Sequence, residues 1–111
     1  MAHTDDFETQ RSNLAYIKTA MTTDLLGKEE ELELARKWRD DKDENALHTL
    51  INAYGRLVVA GASKFKHYGL PIGDLIQEGN VGLMQAAARF DPDREIRFST
   101  YASWWIRSAM Q

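Results

Sequence analysis

Cysteine is absent from the 111 residues, which removes disulfides and thiolate metal ligands and fits a reducing compartment. No apolar run approaches the roughly 20 residues of a membrane span. The polar, acidic start Met1-Ala2-His3-Thr4-Asp5-Asp6 is unlike a signal peptide. The histidines His3, His48 and His67 lie far apart, with no paired spacing around a glutamate that would bind zinc. No glycine-rich loop follows a strand, since Gly79 and Gly82 fall inside an expected helix, and no serine sits in a nucleophile elbow. Carboxylates are plentiful, but in acidic turns without apolar walls to shift a pKa. Neither a cofactor nor a metal is expected, and catalysis by this chain is disfavoured.

What is present suits one helical domain. The formal net charge is −3, unusual for a free-standing nucleic-acid binder. Residues 1–45 hold 7 Lys/Arg against 12 Asp/Glu, whereas residues 46–88 and 89–111 are each +1. Any contact with DNA therefore belongs to the second half and calls for a partner.

Residues 1–11 lack a periodic apolar pattern and are expected to be disordered. Ser12 can cap a short helix carrying Leu14, Ile17 and Met21. Gly27 can begin the next, with Glu29, Glu30 and Glu31 in its first turn, where the helix dipole favours negative charge on a solvated face. That helix runs to about Arg39 with Leu32, Ala35 and Trp38 inward. Asp43 can cap the longest helix, in which Leu47, Leu50, Ile51, Tyr54, Leu57, Val58, Ala62 and Phe65 recur at three- and four-residue steps through about His67. Gly69 and Pro71 form a stop signal. A further helix covers roughly Ile72–Arg89, burying Leu75, Ile76, Gly79, Leu83, Ala86, Ala87 and Phe90. Its other side mixes Asp74, Gln77, Glu78 and Asn80 with Val81 and Met84, a combination suited either to a protein partner or to plain solvation. Asp91-Pro92-Asp93 ends it. The whole reads as an all-α bundle of about five helices.

The last stretch, Arg97-Phe98-Ser99-Thr100-Tyr101-Ala102-Ser103-Trp104-Trp105-Ile106-Arg107, packs four aromatics into eight positions beside hydroxyls and arginines. Ser99 is a natural N-cap, placing the helix from Thr100. Two readings stand open on these residues alone. The helix buries two tryptophans, or it presents a surface that stacks unpaired bases and holds phosphates.

Asp74-Leu75-Ile76-Gln77-Glu78-Gly79-Asn80-Val81-Gly82-Leu83-Met84, followed by Phe98-Ser99-Thr100-Tyr101-Ala102-Ser103-Trp104-Trp105-Ile106-Arg107, closely resembles the signature of bacterial sigma-70-family initiation factors. The likeness extends back through Leu25-Leu26. The segment from Tyr16-Ile17 through Leu50-Ile51, with Tyr68-Gly69-Leu70-Pro71, is most similar to the heat-shock (sigma-32 type) subgroup, whereas Ser-Thr-Tyr-Ala-Ser-Trp-Trp is closer to housekeeping factors.

The resemblance implies sigma domain 2 over 12–111, with about 12–45 like region 1.2 and about 46–111 like regions 2.1–2.4. It implies a bacterial, cytoplasmic, nucleoid-associated protein without enzymatic activity, which binds core RNA polymerase and recognises and melts the promoter −10 element of heat-shock or stress genes. Asp74, Gln77, Glu78, Asn80 and Met84 would meet the clamp helices of the polymerase largest subunit. Tyr101 matches the aromatic on which a flipped adenine of the non-template strand stacks, and Arg94 an arginine beside that pocket. Trp104 and Trp105 match the pair at the upstream edge of the bubble. Phe98, Ser99 and Thr100 would line the single strand, with Arg97 and Arg107 as phosphate partners. Ile96 replaces a tyrosine common in housekeeping factors, and Ser108 and Gln111 stand where those factors read a duplex base pair. Chaperone or anti-sigma regulators are further implied partners. Because the sequence stops mid-helix at Met110-Gln111 and family members continue into further domains, it is expected to be a fragment of a longer protein. The alternative is a helical protein–protein adaptor without DNA binding.

Overall fold

Apolar residues at helical spacing, punctuated by Asp, Gly and Pro, fold into six helices among the described residues, 7–65 and 69–111 of a computed structural model. They are α1 (Phe7–Thr22), α2 (Lys28–Asp41), α3 (Glu44–Ala53), α4 (Gly55–Phe65), α5 (Ile72–Arg89) and α6 (Phe98–Met110). The ends follow local chemistry. The Asp43 carboxylate accepts from the Asn45 and Ala46 amides and starts α3. Lys42, in the left-handed region at φ 52°, closes α2. Pro71 precedes α5, whose bounds are those expected from its apolar spacing.

Three expectations need correction. The long helix breaks at Tyr54 (φ −111°, ψ 16°), giving six helices where about five were expected; its expected end near His67 lies outside the described residues. The break lets the Tyr54 hydroxyl reach Glu31, and it puts buried Gly55 where an added Cβ would stand 3.2 Å from Ala20 Cβ. Second, α1 begins at Phe7, so residues 7–11 are helical; residues 1–6 lie outside the described set. Third, α1 turns Tyr16, Ile17 and Ala20 inward, leaving Leu14 and Met21 exposed. The Tyr16 hydroxyl donates to Asn80 Oδ1 (3.0 Å), and burial raises its pKa above the usual tyrosine value.

α5 and α6 pack antiparallel, Phe90 against Phe98 at one end and Gly79 against Met110 at the other. The approach is close because α5 carries glycine there: a Cβ on Gly82 would lie 2.6 Å from the Trp105 carbonyl oxygen. Leu50, Val58, Leu75, Leu83, Phe98, Ala102 and Ile106 lie together in a core cluster. Fully burying a side chain such as Leu83 or Phe98 contributes about 1.5–3 kcal/mol.

Candidate nucleic-acid interface

On α6 the four-residue steps Phe98, Ala102, Ile106 and Met110 form the buried stripe. One edge beside it carries Tyr101 and Trp105, half-buried, with Ser108 and Trp104 exposed; Trp104 has 74% of its surface free. The aromatics form a ladder from core to surface. Tyr54 meets Phe98 at 5.2 Å between ring centroids, Phe98 meets Phe90 at 5.2 Å, Phe90 meets Tyr101 at 5.5 Å, and Tyr101 meets Trp105 at 6.2 Å. Ring pairs at such separations hold one another in fixed orientations. Tyr101, Trp104, Trp105 and Ser108, with Ile96 from the preceding loop, line an open apolar concavity of about 420 Å³. That volume falls within the range of small-molecule sites. The Arg89 guanidinium lies 5.1 Å from the Trp105 ring centroid, so a cation already occupies part of that ring's surroundings.

The structure does not gather all the expected DNA residues here. Phe98 is fully buried and belongs to the core, because its ring wedges between Tyr54 and Phe90; it does not line a strand path. Ser99 is not the cap: the helix starts at Phe98, two residues earlier than expected, with Arg97 at the N-cap position, and the Phe98 amide donates to Glu31 Oε2 (3.1 Å). Arg97, expected at a phosphate, directs Nε to Glu31 Oε2 (3.1 Å) and Nη2 to Glu31 Oε1 (3.3 Å), which raises its pKa further. Ser99 is half-buried and Thr100 exposed. Arg107 lines a separate groove with Lys64, Leu57 and Gly61, between α4 and α6. Gln111 lines a different concavity from Ser108, with Phe65, Leu70 and Met110. Arg94 is exposed in the 91–97 loop, its Nε 3.7 Å from Asp91 Oδ2.

On α5, Asp74, Gln77, Glu78 and Met84 share the exposed side with Val81; Val81 and Met84 are 45% and 50% exposed. Asn80 is not among them, because its side chain turns to α1 and accepts from Tyr16.

Glu31 was expected on a solvated acidic face and is instead fully buried. The missed signal is spacing: Glu31, Ala35 and Trp38 sit at four- and three-residue steps, on the inward stripe of α2. α2 also clips the loop, with Arg39 Nη1 at 2.6 Å from Asp93 Oδ2 and 3.5 Å from Asp91 Oδ1. Trp38 Nε1 donates to the Ala88 carbonyl at 3.4 Å. Among the described residues no cluster of His, Cys, Asp or Glu is arranged to hold a metal, and no helix is long and apolar enough to cross a membrane.

Residues 50–111 match the family Sigma-70 region 2. The chain is 47% identical over 87 residues to RNA polymerase sigma factor RpoH of Caulobacter vibrioides, covering 78% of this chain and 30% of that protein. It is 40% identical over all its 111 residues to RNA polymerase sigma-C factor of Myxococcus xanthus, covering 37% of that protein. To RNA polymerase sigma factor RpoS of Coxiella burnetii it is 45% identical over 96 residues, covering 86% of this chain and 27% of that protein. It thus spans about a third of the length of the curated relatives it matches. With the aromatic edge, the α5–α6 pair and the family match in agreement, the chain belongs to the sigma-70 region 2 family.

Proposed function

We propose that this chain is the sigma-factor segment that binds core RNA polymerase through the outward face of α5 and captures the melted promoter −10 element on the aromatic edge of α6. The observation that carries the reading is the concavity of Ile96, Tyr101, Trp104, Trp105 and Ser108, with Trp104 left exposed at its rim. Large aromatic surface open to water has no folding rationale, whereas a flat apolar wall suits an unpaired base. Flipping a base costs a few kcal/mol. Each stack returns about 1–3 kcal/mol, so two or three stacks hold a short open segment with no bond hydrolysed. Tyr101 takes the flipped base against Ile96, Trp104 and Trp105 close the upstream edge, Thr100 and Ser108 offer hydroxyls, and Arg94 and Arg107 meet phosphates. Ile96 supplies bulk without a ring, so the pocket grips its base less tightly than one walled by two aromatics. Core polymerase meets Asp74, Gln77, Glu78, Val81 and Met84. The likeness to RpoH proteins supports a promoter set of the heat-shock or stress kind.

Tryptophan emission tests this. With core polymerase bound, single-stranded DNA of non-template −10 sequence shifts or quenches the signal in the native chain and not in Trp104→Phe/Trp105→Phe. No response in the native chain would leave only a protein-binding helical module.

A further inference from the structure

We infer that Glu31 is a positioning residue for the DNA-reading helix: its buried carboxylate caps α6 and pins Arg97, so Arg97 sets the Tyr101 concavity instead of holding a phosphate. Among the described residues Glu31 is the only buried charged side chain, and its two oxygens collect four donors. These are the Tyr54 hydroxyl, the Phe98 amide, and Nε and Nη2 of Arg97. The Phe98 amide is one of the orphan donors at a helix start, and Arg97, at the N-cap position, offers no acceptor side chain, so the cap comes from α2, 67 residues away. A carboxylate at that end also meets the positive pole of the helix. The pinned residue sits between two walls of the concavity: Ile96 immediately precedes it, and its carbonyl accepts from the Tyr101 amide at 3.2 Å. Swinging the guanidinium out to a phosphate would strip a buried carboxylate of its counter-charge, which is strongly unfavourable. The acidic α2 therefore acts on base capture without touching DNA.

The proposal rests on the DNA reading for its consequence, and two measurements separate them. The first is affinity for single-stranded −10 DNA against salt concentration, with core polymerase bound. A residue on a phosphate carries a slope of about 0.7 per contact for single strands. Arg107→Ala should lower the slope by that amount. Arg97→Ala and Glu31→Gln should each weaken binding about tenfold, the scale of a lost cap, with the slope unchanged. The double variant Glu31→Gln/Arg97→Ala, which leaves no buried charge unpaired, should bind no more weakly than Glu31→Gln. A slope reduced in Arg97→Ala, or further loss in the double variant, overturns the pin. The second measurement needs no DNA, so it decides the pin even where base capture fails. Amide hydrogen exchange in Glu31→Gln should lose protection at Phe98 and Tyr101 while α4 and α5 keep theirs. Unchanged protection at Phe98 overturns it.

Discussion

The outward face of α5 and the aromatic edge of α6 belong to one antiparallel helix pair, yet they are built in opposite ways. On α5 the exposed residues Asp74, Gln77, Glu78, Val81 and Met84 rest on a buried side so regular that the outward side is simply what remains. On α6 Tyr101 and Trp105 are the last members of a ladder that starts at Tyr54 in the core, and the loop feeding them is held by Glu31 and Arg39 of α2. The difference matches the tasks proposed for them. A protein partner brings its own shape and tolerates a mixed face with flexible methionine. A flipped base is small and needs walls at fixed positions.

The strongest way to break the comparison is at the root they share. Phe98→Ala should cost about 3–5 kcal/mol of stability, read by urea denaturation, and abolish both surfaces together. A loss confined to DNA affinity would return Phe98 to the strand path. Next in size is alkaline unfolding. Burial, then its contact with Glu31, pushes the Tyr54 hydroxyl up to about 12 from the usual 10. The unfolded chain releases that proton first, so stability is fully present below about pH 10 and declines by up to about 2–3 kcal/mol as pH rises to about 12. Tyr54→Phe should remove that part of the alkaline slope; an identical slope in the variant would count against a hydroxyl locked on Glu31. Smaller again is Gly82→Ala, which forces a Cβ against the Trp105 carbonyl. It should destabilise by about 1–3 kcal/mol through overpacking, partly offset by a helix-propensity gain of about 1 kcal/mol. A variant more stable than the native chain would mean that the two backbones are not in contact there.

How legible each region is in the sequence follows from the range of the forces that make it. α5 was readable to the residue because Pro71 and Asp91-Pro92 punctuate it and Leu75, Ile76, Leu83, Ala86 and Ala87 mark its buried side at helical steps. Asp43 is readable as a cap because the amides that donate to it are two and three residues away. The cap of α6 was not: Ser99 looked like the local solution, while the actual acceptor is Glu31. The break at Tyr54 has the same origin, a hydroxyl drawn to a carboxylate 23 residues earlier. On α1, Leu14 and Met21 made an apolar stripe as good as the one used, and the choice fell to Gly55 and Asn80, which accept Ala20 and Tyr16. Tyr101, Trp104 and Trp105 stand out in the sequence by aromatic density and by resemblance. That Trp104 is open and Trp105 lies under Arg89 came only from packing.

The division into two independent surfaces is tested most directly by one paired titration, with affinity for core polymerase and, on the bound complex, affinity for single-stranded −10 DNA measured for two variants. Tyr101→Ala should lose about 1–3 kcal/mol of DNA affinity and bind polymerase normally. Gln77→Ala/Glu78→Ala should weaken polymerase binding by about 1 kcal/mol and leave DNA affinity of the assembled complex unchanged. If either variant weakens both affinities equally, the two surfaces are not separate.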